Sequence, residues 1–124
     1  MLFRSLRSRL YRPVRFYVAV QNDGTAAEAM NVQGGDLGTG YTVRYFMGAS
    51  LRDGVEVTDD AKAGTLSTGT LAPGSITSDA TMLRVEIAAS TNAVRGVTNS
   101  IPITVTSDAD PSKSDTVWAT VVVP

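Results

Sequence analysis

Apolar residues recur at every second position in several stretches of this chain. Val14, Phe16, Val18 and Val20 alternate with Arg15, Tyr17, Ala19 and Gln21. Tyr41, Val43, Tyr45 and Met47 share one side, with Thr42 and Arg44 opposite. Leu83, Val85, Ile87 and Ala89 alternate with Met82, Arg84, Glu86 and Ala88. A period of two sets one row against a core and the other toward water, which predicts strands over 14–21, 41–47 and 80–89. Phe46 falls on the polar side of its strand, so that side is expected to be partly covered. A closing pair follows the same rule: Ile101, Ile103 and Val105, then Val117, Ala119, Val121 and Val123, joined by a polar turn over 107–115. Pro102 has no N–H to give a ladder and is expected at the start of its strand or on a sheet edge.

Between these runs lie turn signals. Asn22-Asp23-Gly24, Asp53-Gly54 and Leu71-Ala72-Pro73-Gly74 combine residues that tolerate positive φ or close a local turn. Shorter strands are predicted near 29–33, 55–58, 63–66 and 69–71, with a flexible glycine-rich loop over 34–40. Residues 25–30 could also form one helical turn, and Leu2, Phe3, Leu6 and Leu10 stand at roughly helical spacing. No long helix emerges. Seven to nine short strands separated by turns predict an all-β fold, an Ig-like antiparallel β-sandwich with Greek-key connections over residues 14–124.

The charge is uneven. Arg4, Arg7, Arg9, Arg12 and Arg15 face no acid within the first fifteen residues, while the whole chain is −1. Residues 1–13 are therefore set apart as a basic arm or leader with no predicted stable structure. Five arginines with little aromatic interleaving do not make a nucleic-acid surface, and no such partner is expected. At 124 residues the chain suits one domain. It has no cysteine and no histidine, which removes disulfides, thiolate chemistry, the commonest general base and the commonest metal ligand. Lys62 and Lys113 sit in predicted turns, where Ser–Lys chemistry has no framework. Gly34-Gly35-Asp36-Leu37-Gly38-Thr39-Gly40 lacks the Gly-Lys-Ser/Thr of a phosphate-binding loop. No enzyme is expected. No apolar run reaches the length of a membrane span, and no signal-peptide order of residues is present.

Several ordered pieces carry a resemblance: Val20-Gln-Asn-Asp-Gly-Thr25, Gly40-Tyr-Thr-Val-Arg-Tyr-Phe46, Ala63-Gly-Thr-Leu66, Gly69-Thr-Leu-Ala-Pro-Gly74, and the run from Val105 to Val117. Together they resemble the Ig-like modules found in tandem in large secreted and surface proteins of bacteria, and the related cell-adhesion domains. The resemblance implies an extracellular or cell-surface spacer, stalk or adhesion module without catalytic residues, whose partners are neighbouring modules or subunits. It also implies an ordered strand ahead of Val14. The arginine-rich leader stands in that place, so the sandwich is expected to be one module cut from, or diverged from, a longer protein.

Two candidate sites follow. Asp108, Asp110 and Asp115 cluster in the closing turn, and Ca²⁺ takes carboxylate and carbonyl oxygens. Against this, Asp and Ser are turn formers in their own right, and Lys113 sits among them. Asp59-Asp60 is a weaker acidic pair. Trp118, Tyr17 and Phe46 are candidates for a binding face, for carbohydrate or a surface protein, set against ordinary packing on the sheets. No other cofactor is expected. A third role weighed is self-assembly through the N-terminal arm.

Overall fold

The alternating rows close into two sheets packed face to face. The computed structural model describes the backbone of residues 3–7, and residues 12–48, 54–74 and 81–124 with their side chains. Among them, nine strands and one helix run in the order β1 (Phe3–Arg7), β2 (Val14–Val20), β3 (Glu28–Gly34), β4 (Tyr41–Gly48), β5 (Val55–Glu56), α1 (Thr58–Ala63), β6 (Leu66–Leu71), β7 (Thr81–Ala89), β8 (Thr98–Ser107) and β9 (Ser114–Val122). One sheet has the order β1-β9-β8-β3-β6 and the other β2-β7-β4-β5. Strands β2 and β7 are neighbours in one sheet, and the strands that follow them, β3 and β8, are neighbours in the other. This is the all-β, Ig-like Greek-key sandwich expected from the alternation. Its pairings are antiparallel save one: β1 lies parallel to β9, with Phe3 opposite Trp118 and Arg7 opposite Val122.

The core is the sum of the inward rows. Phe16, Val20, Val43, Tyr45, Leu83, Val85 and Ile87 come from one sheet and meet Val32, Ile101, Ile103, Ala119 and Val121 from the other. Each valine, leucine or isoleucine among them contributes about 1.5–3 kcal/mol by leaving water. Tyr45 is fully buried, and its hydroxyl donates to the Gly35 carbonyl at 2.6 Å. Burial, with Asp36 nearby, pushes the Tyr45 hydroxyl pKa up, so the group stays protonated and keeps donating. A Cβ on Gly34 would stand 2.2 Å from the Tyr45 ring. Gly34 thus makes room for the Tyr45 ring, where the sequence suggested only flexibility.

Other expectations are corrected. Pro102 lies inside β8, a strand paired on both sides. Its carbonyl accepts from Gly35 N at 2.9 Å, so its nitrogen faces the same side, just past the last β3 pair, Gly34 with Ile103. The missing N–H falls where that ladder has ended. The stretch read as strand and turn near 58–63 is α1, six residues long, with Asp59 and Asp60 in its first turn, Lys62 in its last and a left-handed Gly64 closing it. Those charges match the helix dipole, but six residues are too few to display a 3.6 period. Within the basic arm, Phe3–Arg7 is a strand, and the helical spacing considered there is not realised over those residues. Leu2 and Leu10 of that spacing, Asp53 of the Asp-Gly turn and Ala80 lie outside the described residues. No helix among the described residues is long and apolar enough to cross a membrane.

Candidate functional site

The site is built where strand β2 ends. Asn22 is 2% exposed, and all its polar atoms are engaged. Its Oδ1 accepts from Gly24 N at 2.9 Å, closing the turn foreseen for Asn-Asp-Gly. Its Nδ2 donates to the carbonyls of Ala26 at 2.8 Å and Leu71 at 3.1 Å, tying the β2–β3 loop to the end of β6. The β8–β9 turn is brought beside this loop by a second set of bonds. Ser107 Oγ donates to Glu28 Oε1 and accepts from Asp110 N at 3.0 Å, and Asp108 N donates to the Ala29 carbonyl at 3.2 Å.

Loop and turn enclose a pocket of about 340 Å³ that carries Asp23, Glu28, Asp110 and Asp115 with Lys113 as its cation. Asp110 and Asp115 are thus brought to one pocket; Asp108 does not line it. Their carboxylates are occupied by the turn itself. Asp110 Oδ1 accepts from Ser112 Oγ at 2.6 Å and Ser112 N at 3.2 Å, and Lys113 Nζ stands 3.9 Å from Oδ2. The Ser112 bonds, and then the Lys113 charge, hold the Asp110 carboxyl below the usual range. Asp115 Oδ1 accepts from Thr116 N at 2.9 Å. No three carboxylates among the described residues converge as metal ligands. Asp60 of the weaker acidic pair accepts from Thr65 Oγ1 at 3.0 Å.

From this pocket a groove continues along the seam between the sheets. Its next part, about 170 Å³, lies between Val18–Gln21 on one wall and Asp115 and Val117 on the other, over a floor of Ile103 and Val105. It narrows to a crevice of about 10 Å³ bordered by Tyr17 and Trp118. The walls are strand edges. Among the described residues, β2 has only β7 beside it, and β1 pairs with β9 from Trp118 onward.

The aromatic candidates do not share one platform. Tyr17 and Phe46 stand on the outer face of the four-stranded sheet, each in register with Arg84. The guanidinium carbons of Arg84 and Arg44 lie 4.3 Å and 5.2 Å from the centre of the Phe46 ring. Arg84 and Arg15 both bond Glu86, at 3.0 Å and 3.4 Å, and Arg44 bonds Glu56 at 2.7 Å. Phe46 is therefore roofed by cations. Trp118 belongs to the other sheet, points outward opposite Pro102 and is 37% exposed. Hydroxyl pairs flank it, Ser100 with Thr120 at 2.8 Å and Thr104 with Thr116 at 3.0 Å.

Sequence reasoning missed one wall of the pocket. Gln21, Asn22, Asp23 and Glu28 read as a strand end and a turn, and nothing local says which distant turn they face. The one available signal was Asn22 at the end of a strongly alternating strand. No family model and no curated protein matches the chain. A solved structure, the Vibrio cholerae VesB protease, is similar over 98% of this chain and 30% of that one, at 16% identity and a TM-score of 0.47, a likeness too loose to bear on activity.

Proposed function

We propose that this domain is a non-catalytic structural or adhesion module of a secreted or cell-surface bacterial protein, a rigid unit that spaces and docks its neighbours. The observation that carries this reading is the parallel pairing of β1 with β9. When the chain is pulled from its two ends, strands in that arrangement are drawn past each other along their axes. Their hydrogen bonds then bear the load together, rather than opening one at a time. The polar side chains of the described residues support the same role: Asn22, Tyr45, Asn31 and Ser107 each tie one segment of backbone or loop to another. The outward aromatics stand on different sheets, which favours this reading over a carbohydrate platform. The resemblance to tandem surface modules points the same way.

The test is force spectroscopy on a tandem array of the full chain. Unfolding in one step is expected, at a force lowered by Ser5→Pro or by Leu6→Pro. Successive N–H groups in a strand point to opposite sides, so one of the two prolines must remove a β1–β9 bond. Val55→Pro, in the short strand on the opposite edge, serves as the control. Equal unfolding forces for all four chains would contradict the proposal.

A further inference from the structure

We infer that the outer face of the five-stranded sheet binds a neutral, extended polysaccharide, with Trp118 under a sugar ring and hydroxyl groups on either side of it. The inference goes beyond the mechanical role and does not depend on it. It needs one ring, not a platform of several. Its first basis is charge. Outward positions run from Ser67 of β6 through Asn31 and Gln33 of β3 to alternate residues of β8 (98–106) and β9 (114–122). Among the described side chains there, not one is charged. The outer face of the other sheet carries Arg15, Arg44, Arg84, Glu56 and Glu86. A face without charge gives a protein partner nothing to steer by, and gives a nucleic acid or an acidic glycan no cation. It suits a ligand that is itself uncharged.

The second basis is the floor. Trp118 and Pro102 lie directly opposite each other in the β8–β9 ladder. Trp118 is 37% exposed with β1 already paired beside it. Pro102 is held from the other side, where a Cβ on Gly35 would stand 2.9 Å from its Cδ. The two rings make an apolar strip that runs from Trp118 away from β1. A sugar ring offers a matching face of C–H groups. Indole suits it, with a large apolar surface and a polar N–H at one edge. The third basis is the hydroxyl groups. Two residues from the rings in each direction stand Ser100 with Thr120, bonded at 2.8 Å, and Thr104 with Thr116, bonded at 3.0 Å. Each pair uses one O–H proton internally and keeps the other, so it both donates and accepts, as the rim of a sugar does. In the first pair Ser100 is the reachable member, since Thr120 is 3% exposed. The pairs are about 14 Å apart at the usual strand rise, a span for a short run of rings rather than one. A flat sheet favours an extended ribbon, the shape of a β-linked glucan.

The test adds three hexasaccharides to the full chain: cellohexaose and chitohexaose, which are neutral, and the β-linked hexaglucuronate, which has the same shape and is anionic. Trp118, the only tryptophan in the chain, reports on its own ring. A saturable fluorescence change is expected with at least one neutral sugar and none with hexaglucuronate. Affinity should be the same at low and high salt, since no charge pair is involved. By calorimetry, Trp118→Ala should abolish binding. Thr104→Val combined with Thr116→Val keeps the shape of both side chains and removes both hydroxyls. It should weaken binding about tenfold and leave the melting temperature nearly unchanged. No saturable change with either neutral sugar would overturn the proposal, as would equal binding of hexaglucuronate, both of which are read on the unmodified chain. Undiminished binding in Trp118→Ala or in the threonine double variant would overturn the site. Association of the chain with itself, lost in Trp118→Ala, would overturn the sugar in favour of a second copy.

Discussion

The two halves of strand β9 face the same seam and end up in different states. Over Trp118–Val122 the strand has β8 on one side and β1 on the other, and its inward residues Ala119 and Val121 are 2% and 0% exposed. Over Ser114–Val117 it has β8 alone among the described residues, and Val117, inward by the same alternation, remains partly exposed beside Val18 and Val105. The hydrophobic pattern is equally good in both halves. What differs, among the described residues, is a covering strand. An inward-facing side chain is therefore not yet a buried one at the rim of a sandwich, where the last strand decides whether the core is shut.

The largest expected effect breaks this comparison at its centre. Val121→Lys puts an unpaired charge in the covered half and should cost several kcal/mol, enough to unfold a domain of ordinary stability. Val117→Lys puts the same charge in the open half and should cost less than about 1 kcal/mol. Denaturant titration of the two variants checks the contrast, and equal losses would remove it. Next in size is Asn22→Ala. It leaves Gly24 N and the carbonyls of Ala26 and Leu71 without their partner, an expected loss of about 2–3 kcal/mol. Faster amide exchange should appear around the acidic pocket and leave the β1–β9 pairing unchanged.

The smallest effect serves as a control away from the seam. The Arg44 guanidinium, bonded to Glu56 and aided by Thr58, holds the Glu56 carboxyl below its usual range. A depressed folded pKa means that the pair's contribution is present above the ordinary glutamate range and is lost as pH falls through the folded value. The melting temperature of Glu56→Gln should thus lie slightly below that of the unmodified chain at neutral pH, and the gap should close in acid. The pair is solvent-exposed, so the gap should also shrink with salt.

Much of the sandwich was legible because each long strand states its buried side: β2, β4, β7 and the β8–β9 hairpin follow directly from their alternating rows. The parts that were not legible depend on partners far along the chain. Phe3–Arg7 becomes a strand through Trp118–Val122, while its own spacing reads equally well as helix. Pro102 is tolerated in a central strand because β3 ends opposite Ile103. The acids of the closing turn were visible as a cluster, but not that Ser112 and Thr116 would occupy two of them. The groove was invisible altogether, since residues 16–23 and 115–119 each look like an ordinary strand margin until the sheets bring them together.

The most direct measurement is hydrogen exchange, amide by amide, along β2 and β9 of the full chain. In the free chain, the groove-facing amides of β2 and of Ser114–Val117 should exchange rapidly, while those directed at β1 within Trp118–Val122 are protected. Uniform protection along β9 would contradict the account.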